Sequence, residues 1–552
     1  MKKDFGSITG LIIGIIVATI IFFGLSYIML PEIGKGFTSI YVILSISLFV
    51  VAFITSSFTS SHKSDSNLDL VTILFFAVAI VLLGMVWFRS ISSSSIFKAN
   101  EHQKLLGEVK GSDFSKDVSP IDINNLRMVD EEMASRLGDK KIGEDPSLGS
   151  VAEAGTFNIQ SINGKLYWVA PLTHRSIFKW AGNLDGTNGY IVVSATNAQD
   201  VQLVQKDKDS KPIKIVYQPQ AFFNQDLHRH IYSNGYKNVG LTDFTFEIDD
   251  NGKPYWVVTT YKKTIGTSGD EASGVLTVDV SSGEIKEYSI KDAPKWIDRI
   301  QPEDLILSQI KKEGTLKNGF VNSIFGQKNV LKPSSSDLQL VYSDDGQSYW
   351  YTGITSAGSD DSTTGFMLVN TRTKEAKYYK QPGATEDASR NSLAGKYPEK
   401  DYTVSSAVMY NVSGVPTYFA TLKDGGGLAK MVGFVSVEDY TIVGVAENKE
   451  EALREYRNAL SSKGNKVDIK EDASLTTIEG TVTRLSPDIK GGQTFYYFNL
   501  DNNLDKAYVL TSSTSKEIPL TREGDRVKVS FVETNKNILD VSKFDNLNSN
   551  LE

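Results

Sequence analysis

Histidine is the residue type that most often binds metals or transfers protons near neutral pH, and the chain has five histidines. Only His228 and His230 are close together, and a helical pattern covers both. Residues two apart on a helix point to different faces, so these rings do not converge on one ion. A metal site needs several converging ligands. We therefore expect a solvated helix face here and no metal site in the chain.

Paired carboxylates could bind calcium, or could act together as an acid and a base. Adjacent aspartates occur at 249–250, 344–345 and 360–361. None has the alternating ligand spacing of a calcium loop. The first two pairs stand just ahead of a turn glycine, where Asp and Asn favour hairpin turns. Turn chemistry is the preferred interpretation, and a weak cation site is the alternative.

Aromatic residues recur in pairs on predicted strands and could bind a partner. Neighbours on a strand face opposite sides, so one ring of a Tyr-Trp pair can fill the core while the other is exposed. An exposed row could bind glycan or peptide, but core filling is the more common outcome. Near the C-terminus, exposed rings could stack on bases, although acidic neighbours favour protein contact. The candidate partner-binding residues are Tyr167, Trp168, Tyr255, Trp256, Tyr349, Trp350, Tyr496 and Phe498.

The familiar catalytic motifs are absent from the sequence. Residues 425–427 are glycines, but the Gly-Lys-Ser/Thr of a phosphate loop does not follow them. There is no Gly-x-Ser-x-Gly nucleophile elbow and no His-Glu-x-x-His helix. We predict a protein that is not an enzyme, with no catalytic residue and no cofactor. An enzyme with an unrecognised site is the alternative.

Composition narrows the classes of partner. The net charge is −8, and acidic and basic residues are interspersed, so there is no basic face for a phosphate backbone. Nucleic acid is therefore not an expected partner. Cysteine is absent, which removes disulfides, thiolate nucleophiles and Cys-type metal sites.

Three apolar runs without a charged residue stand near the N-terminus, at 8–30, 37–58 and 70–88. Each is long enough to cross about 30 Å of hydrocarbon. Three successive runs argue against buried core helices, and the first is too long for a signal peptide. We predict three transmembrane helices in residues 1–90, with the lipid bilayer as a partner. No ionisable residue lies inside a run, so we expect an anchor and no ion path.

Charges beside the runs indicate an orientation. Lys2 and Lys3 precede the first run, and His62 and Lys63 separate the second from the third, whereas residues 31–36 carry one charge of each sign. Positive loops stay inside the cytoplasm. We predict a multi-pass plasma-membrane protein with a cytoplasmic N-terminus and a large extracytoplasmic C-terminal region. Basic residues after the third run argue weakly the other way.

The polar remainder is organised in repeats. A turn glycine followed by an aromatic-rich strand occurs four times, at Gly164, Gly252, Gly346 and Gly414, and each is followed by a second glycine-led strand. Helical patterns with an apolar face cover 122–137, 219–231, 302–312 and 448–460. Asp122 is the predicted cap of the first, and Asn448, three residues before Glu451, that of the last. We predict a tether at 91–120, then α+β modules at 121–215, 216–300, 301–395 and 396–470, the last with a terminal helix.

One of these modules resembles a known family. Residues 252–290 combine Tyr255-Trp256-Val257, a second strand from Gly274 to Asp279, and the turn Ser282-Gly283-Glu284. This pattern is similar to the PepSY-type unit, whose last strand ends in a Val-Asp-x-x-Thr-Gly-Glu-like turn. The other modules keep the strands but depart from the turn. The resemblance implies an envelope protein that inhibits or positions a peptidase.

The C-terminal segment 474–545 is distinct, and a tail follows at 546–552. Alternating strands cover 478–485, 495–500, 507–510 and 526–532, with a possible fifth at 538–541. Five short strands with a Gly-Asp-x-Val-x-Val pattern resemble an OB-type barrel.

These observations predict a helical membrane anchor, repeated α+β modules of antiparallel sheet and helix, and a small all-β barrel. We expect a non-catalytic scaffold that binds a protein or wall component of the bacterial cell envelope. The alternative, which rests on the resemblance alone, is a PepSY-type regulator or inhibitor of an envelope peptidase.

Overall fold

A computed structural model describes most of the chain. The described residues are 2–61, 66–118, 123–343, 346–358, 362–412, 414–463, 475–490, 493–512, 514–532 and 537–549.

Three long helices open the chain and fit a membrane anchor. They are α1 (Lys2–Met29), α2 (Ser39–Ser61) and α3 (Ser66–Ser92). Their apolar stretches, Ile8–Met29, Ser39–Phe58 and Leu70–Ser92, are long and apolar enough to cross a membrane. The three predicted runs are thus confirmed. The hydroxyls of Thr19, Ser45, Ser47 and Ser57 donate to carbonyls one turn back, as from Ser45 to Tyr41 at 2.7 Å, which satisfies these four without water.

The segment after α3 is folded, so the predicted tether at 91–120 is wrong. It forms helix α4 (Ser95–Gln103), strand β1 (Val109–Ser112) and helix α5 (Phe114–Asp117). The Phe114 ring is buried and lies 5.3 Å from Phe366 and 5.9 Å from Tyr379. The segment thus packs against residues more than two hundred positions later in the chain. Its Ser-rich, charged composition gave no sign of these contacts.

Four antiparallel sheets follow the anchor, each with helices beside it. The first sheet comprises β2 (Ala152–Ala154), β3 (Asn158–Ile162), β4 (Lys165–His174), β6 (Tyr190–Ser194) and β7 (Val201–Val204), with helices α6 (Glu131–Gly143), α7 (Pro146–Gly149) and α8 (Ile177–Ala181). A small ribbon pairs β5 (Thr187–Asn188) with β8 (Lys214–Ile215).

The second sheet begins after helix α9 (Leu227–Ser233). Its strands are β9 (Gly240–Ile248), β10 (Pro254–Ile265), β11 (Ser268–Asp279) and β12 (Ile285–Tyr288), paired in chain order.

The third sheet follows helix α10 (Glu303–Leu316) and also takes in β1. Its own strands are β13 (Leu331–Pro333), β14 (Gln339–Tyr342), β15 (Ser348–Ser356), β17 (Gly365–Asn370) and β18 (Ala376–Tyr379). Strand β1 pairs in parallel with β18, Val109 opposite Ala376. A ribbon joins β16 (Ser362–Thr363) to β19 (Gly383–Ala384).

The fourth sheet lies between helices α11 (Glu386–Ala394) and α12 (Lys449–Ser462). Its strands are β20 (Thr403–Val404), β21 (Val408–Val412), β22 (Val415–Lys423), β23 (Ala429–Ser436) and β24 (Val443–Ala446).

A closed five-stranded barrel ends the described chain. Its strands are β25 (Leu475–Lys490), β26 (Gln493–Leu500), β27 (Asn503–Thr511), β28 (Arg526–Val532) and β29 (Ile538–Asn546), in the order β25-β26-β27-β29-β28. The five predicted strands all fall within these ranges.

Glycine conformation explains the aromatic hairpins. The turn residues Gly164, Gly252, Gly346 and Gly414 have φ of 77°, 78°, 78° and 85°. Glycine adopts these positive values readily, whereas a residue with a side chain would be strained there. The strand after each turn is the second strand of a β-hairpin, whose first strand is β3, β9, β14 or β21.

The predicted helices exist in part, with shifted ends. The first predicted helix is divided into a 3₁₀ turn at Ile123–Asn125 and α6, which Asp130 caps by accepting from the Met133 N–H. Its predicted cap, residue 122, lies outside the described residues. The second is likewise a 3₁₀ turn at Phe223–Gln225 followed by α9. The third matches α10. The fourth matches α12, whose predicted cap Asn448 accepts from the Glu451 N–H at 2.8 Å.

A buried tryptophan ties each of the first three sheets to the segment before its helix. The indole N–H of Trp168 donates to the Val129 carbonyl, that of Trp256 to Tyr217 and that of Trp350 to Gln301, each at 2.8 Å. At the fourth sheet, the Tyr418 hydroxyl lies 3.4 Å from the Ala384 carbonyl. The four hydrogen bonds start four residues after the four turn glycines.

The sheets share their hydrophobic cores. Trp168 and Ile191 of the first sheet pack in one cluster with Trp350 of the third. Val169 and Tyr190, on the other face of the first sheet, pack with residues of the second. A further cluster joins the third and fourth sheets. The sheets therefore stack in the order second, first, third, fourth, and their internal faces are buried.

We predict that Trp350→Phe destabilises the protein by about 1–3 kcal/mol, because the buried Gln301 carbonyl loses its donor. Trp180→Phe is the matched control. Its indole bonds to the side-chain amide of Gln225, which can turn to water, so the cost should stay within about 0.5 kcal/mol. Both destabilisations are measured as shifts of the urea unfolding midpoint of the detergent-solubilised full-length protein, with resistance to proteolysis as the readout. Equal midpoints for the two variants would contradict a structural role for the buried bond.

Candidate functional site

A cleft of about 360 Å³ lies where the first, third and fourth sheets meet. The β3–β4 hairpin contributes Ser161, Lys165 and Tyr167, the end of β14 contributes Tyr342, and β21 contributes Tyr410. Asn125 and Arg127 enter from the segment before α6, and Ser194, Thr196, Asn197 and Asp200 from the β6–β7 turn. Polar side chains are the more numerous in the lining, and Ile159, Leu166, Leu340 and Val408 add apolar surface to it.

Arg127 is the basic residue set deepest in this cleft. Its backbone N–H donates to the Tyr410 hydroxyl at 3.1 Å, and burial lowers the pKa of its guanidinium. The guanidinium donates no hydrogen bond to any residue that the structure describes. Of the two acidic residues acting on it, Asp130 and Glu131, Asp130 already accepts from the Met133 N–H and from Lys423. Among the described residues Glu131 accepts no hydrogen bond from the guanidinium either, so the guanidinium donors are open to a ligand.

Asp298 lies beneath the cleft and holds its floor in place. Its carboxylate accepts from the Ser161 N–H at 2.6 Å and from the Tyr342 hydroxyl at 3.0 Å. Burial raises the pKa of Asp298 to about 6, against these hydrogen bonds and the charge of Arg299. Ser161 and Tyr342 both line the cleft, so the carboxylate fixes groups that a ligand would touch.

A buried charged cluster continues from Asp298 toward the second sheet. Arg299 faces three carboxyl groups, those of Asp243, Glu247 and Asp298. The Arg372 guanidinium also acts on Glu247 and Asp298, so two guanidinium groups face three carboxyl groups. Glu247 is 2% exposed, and one of its carboxyl oxygens has no partner among the described residues. Burial raises the pKa of Glu247 to about 8, so this carboxyl retains its proton at neutral pH.

A second cavity of about 390 Å³ opens on the other side, lined in part by Asn158, Asp226, His228 and Phe244. Burial lowers the pKa of His228. His230 points elsewhere, its Nε2 lying 2.8 Å from the Gly283 carbonyl. The two rings point in different directions, but they do not form the expected solvated helix face. Both are half-buried, since His228 lies 5.4 Å from the Phe244 ring and His230 lies 4.1 Å from the Tyr217 ring.

No cluster of three or more potential metal ligands occurs among the described residues. The Asp249 carboxylate accepts from the N–H groups of Asn251 and Lys253, both at 2.9 Å, as a turn residue does. The pairs at 344–345 and 360–361 lie outside the described residues.

The predicted aromatic residues divide as strand geometry requires. Trp168, Trp256, Trp350 and Phe498 are buried, so their assignment as partner-binding residues is corrected: each fills a core. The tyrosines are only partly buried. Tyr167 lines the cleft, whereas Tyr255 stacks on Trp296 at 5.4 Å. Tyr349 and Tyr496 lie at the edges of the fourth-sheet and barrel cores.

Sequence reasoning missed Arg127, Glu247, Asp298, Arg299 and Tyr342. They come from separate units and carry no shared motif. Glu247 alternates with the apolar residues Phe246 and Ile248, a pattern that predicts an exposed carboxylate on a half-buried strand, so the sequence carries no signal for its burial.

Comparisons with known proteins give little. No family model matches the chain, and no curated protein matches it. Solved structures that match include a sialidase from Trypanosoma rangeli (11% identity, 71% of this chain, TM-score 0.16). A thermostable family-43 glycoside hydrolase matches with 10% identity over 71% of this chain and a TM-score of 0.17. A mutant levansucrase from B. megaterium matches with 11% identity over 78% of this chain and a TM-score of 0.18. The alignments cover 54%, 93% and 95% of those chains, so this protein spans about half of the sialidase.

These matches contradict the expectation that the chain is not an enzyme, because the three structures carry the names of enzymes. We withdraw that expectation. TM-scores of 0.16–0.18 carry no argument for a shared fold, reaction or substrate.

We predict that the protein loses stability as pH rises from about 4.5 to about 8. The folded state keeps the Glu247 proton up to pH about 8, whereas an unfolded chain releases it near 4.5, so deprotonation favours unfolding in this window. Glu247→Gln should flatten the slope, by up to about 1.4 kcal/mol per pH unit. Urea midpoints measured across this pH range test it.

Glu153→Gln, at an exposed site in the first sheet, is the control and should leave the slope unchanged. A Glu247→Gln variant with the wild-type slope would show that Glu247 is ionised in the folded protein.

Proposed function

We propose that this chain is a membrane-anchored binding protein of the bacterial cell envelope, whose cleft takes a carboxylate-bearing segment of a protein or wall peptide. The observation that carries the proposal is Arg127, a guanidinium inside a polar cleft with no hydrogen bond to a described residue. Carboxylates match the guanidinium fork in shape and charge. The neighbouring hydroxyls and amides would bind the polar backbone around that group.

The packing of the anchor supports an extracytoplasmic location. The loop between α1 and α2 contacts the second-sheet region, where the Ile33 N–H donates to the Lys237 carbonyl and the Tyr232 hydroxyl to Pro31, both at 2.8 Å. The end of α3 contacts the β10–β11 hairpin, where Ser93 accepts from the Thr267 N–H at 3.0 Å. The sheets therefore lie opposite the end that carries Lys2 and Lys3, as a cytoplasmic N-terminus requires.

We also propose that the four sheets are copies of one PepSY-like unit. The equivalent aromatic-to-carbonyl bonds, the shared hairpin turn and the common helix-then-sheet order support this. For the last domain, the strand order 1-2-3-5-4 and the parallel pairing of β27 with β29 support an OB-type barrel that contacts protein. On this basis the alternative function is regulation or inhibition of an envelope peptidase.

A topology experiment tests the location. Alkaline phosphatase fused after Glu552 should be active, and a fluorescent protein that matures only in the cytoplasm should stay dark at the same position. Swapping the reporters to the N-terminal side of Lys2 gives the matched control, where only the fluorescent protein should work. Cytoplasmic fluorescence from the C-terminal fusion would overturn the extracytoplasmic assignment.

Ligand chemistry is tested at Arg127. Purified full-length protein should bind peptides and wall muropeptides with free carboxylates, and amidation of the carboxylate should abolish binding. Arg127→Met should weaken binding about 10- to 100-fold, since a hydrogen bond to a charged group contributes about 1.5–3 kcal/mol. Arg484→Met, exposed on the barrel, is the control. Unchanged binding in Arg127→Met would exclude the cleft.

A pull-down from the native membrane separates the two functions. Recovery of a peptidase that the protein inhibits would favour the regulator, whereas capture without a peptidase would count against it.

A further inference from the structure

An apolar patch projects from the first sheet beside helix α9. Phe178 is 84% exposed, Phe223 59%, Leu184 53% and Ile177 42%, and the half-buried Trp180 lies among them. We call these five residues the α8 patch. Their exposure in one place is unusual, because isolated apolar residues are normal on a surface but a cluster indicates contact with another phase or molecule.

The patch is held rigidly in its exposed arrangement. The Trp180 indole donates to the Gln225 side chain at 2.7 Å, and the Gln225 amide donates to the Leu184 carbonyl at 2.8 Å. The Trp180 ring lies 5.7 Å from the Phe223 ring. Phe223 itself has φ of 53°, a conformation that costs free energy in a bulky residue. The fold thus keeps these rings outward.

Helix α9 places the patch next to the end of the first span. The Arg229 guanidinium lies 3.8 Å over the Tyr27 ring and donates to the Tyr27 carbonyl. Tyr27 belongs to the last turn of the apolar stretch Ile8–Met29. Phe223 precedes Arg229 by six residues, which can span at most roughly 20 Å even when extended. Phe223 therefore lies within roughly 20 Å of Arg229, whose guanidinium contacts the end of the first span.

The composition of the patch matches a bilayer interface. Aromatic rings with a polar edge, such as Trp180, prefer the headgroup region. The exposed basic residues Arg175 and Lys179 flank the rings, as in segments that lie on anionic lipid. A protein partner would require a second chain to reach this surface beside the membrane, whereas the lipid is already there.

We propose that the α8 patch inserts into the headgroup region of the same bilayer that holds the three spans. The sheet stack then contacts the membrane at a second point, which limits its tilt and sets the height of the cleft. This inference rests on the anchor and is independent of what the cleft binds.

Lipid-borne quenching tests the proposal in the full chain. The sequence has no cysteine, so Phe178→Cys places one fluorescent label on the patch, and a substitution at so exposed a position should leave folding intact. Leu428→Cys and Leu520→Cys, 55% and 61% exposed in the fourth sheet and the barrel, are matched controls. Each variant is reconstituted in phosphatidylcholine–phosphatidylglycerol vesicles with nitroxide-labelled lipid.

The label at position 178 should lose most of its fluorescence, and the control labels should keep theirs. Aqueous iodide should quench the controls more than position 178. The proposal is overturned if nitroxide lipid quenches position 178 no more than the controls. It is also overturned if the label is shielded from iodide only after native membrane proteins are added, which would identify a protein partner.

Discussion

A buried indole N–H needs an acceptor, and that requirement organises the extramembrane region. In Trp168 and Trp350 the acceptor is a backbone carbonyl just before a helix, and in Trp256 it is the Tyr217 carbonyl, further ahead of α9. One bond thus fixes where the chain approaches the sheet. In the fourth sheet the Tyr418 hydroxyl takes the place of the indole and donates to the Ala384 carbonyl. Leaving such a carbonyl unpaired in the core would cost about 1–3 kcal/mol, which makes each sheet and its leading segment one structural unit.

Stacking these units creates the polar sites. Because the first sheet is covered on both faces, polar residues of its strands such as Gln160 are buried against its neighbours. Gln160 bonds both to the N–H and to the carbonyl of Ile248, which joins the first and second sheets edge to edge. The same junctions contain Asp298, Arg299 and Glu247, and the cleft opens where the third sheet ends against the fourth. The polar cluster is a product of how the units meet.

Local features could be predicted from the sequence, and long-range ones could not. The apolar runs, the turn glycines and the Asn448 cap depend on neighbouring residues, and all appear in the structure. Residues such as Arg127, Ser161, Asp298 and Tyr342 approach only through tertiary packing, so no spacing rule could bring them together. The tether failed as a prediction for the same reason, since β1 has no partner within its own neighbourhood. The sequence predicts that the two rings of each Tyr-Trp pair face opposite sides of the strand, but it does not predict which of the two is buried.

The pairing of β1 with β18 has a consequence for biosynthesis. Val109–Ser112 emerges early, directly after the membrane helices, but its partner Ala376–Tyr379 is translated only when most of the chain has been made. Until then β1 is an unprotected strand edge, which invites pairing with other chains. The nascent chain therefore has a period of vulnerability to aggregation that ends only when the third sheet is complete, and chaperones would be needed most during that period.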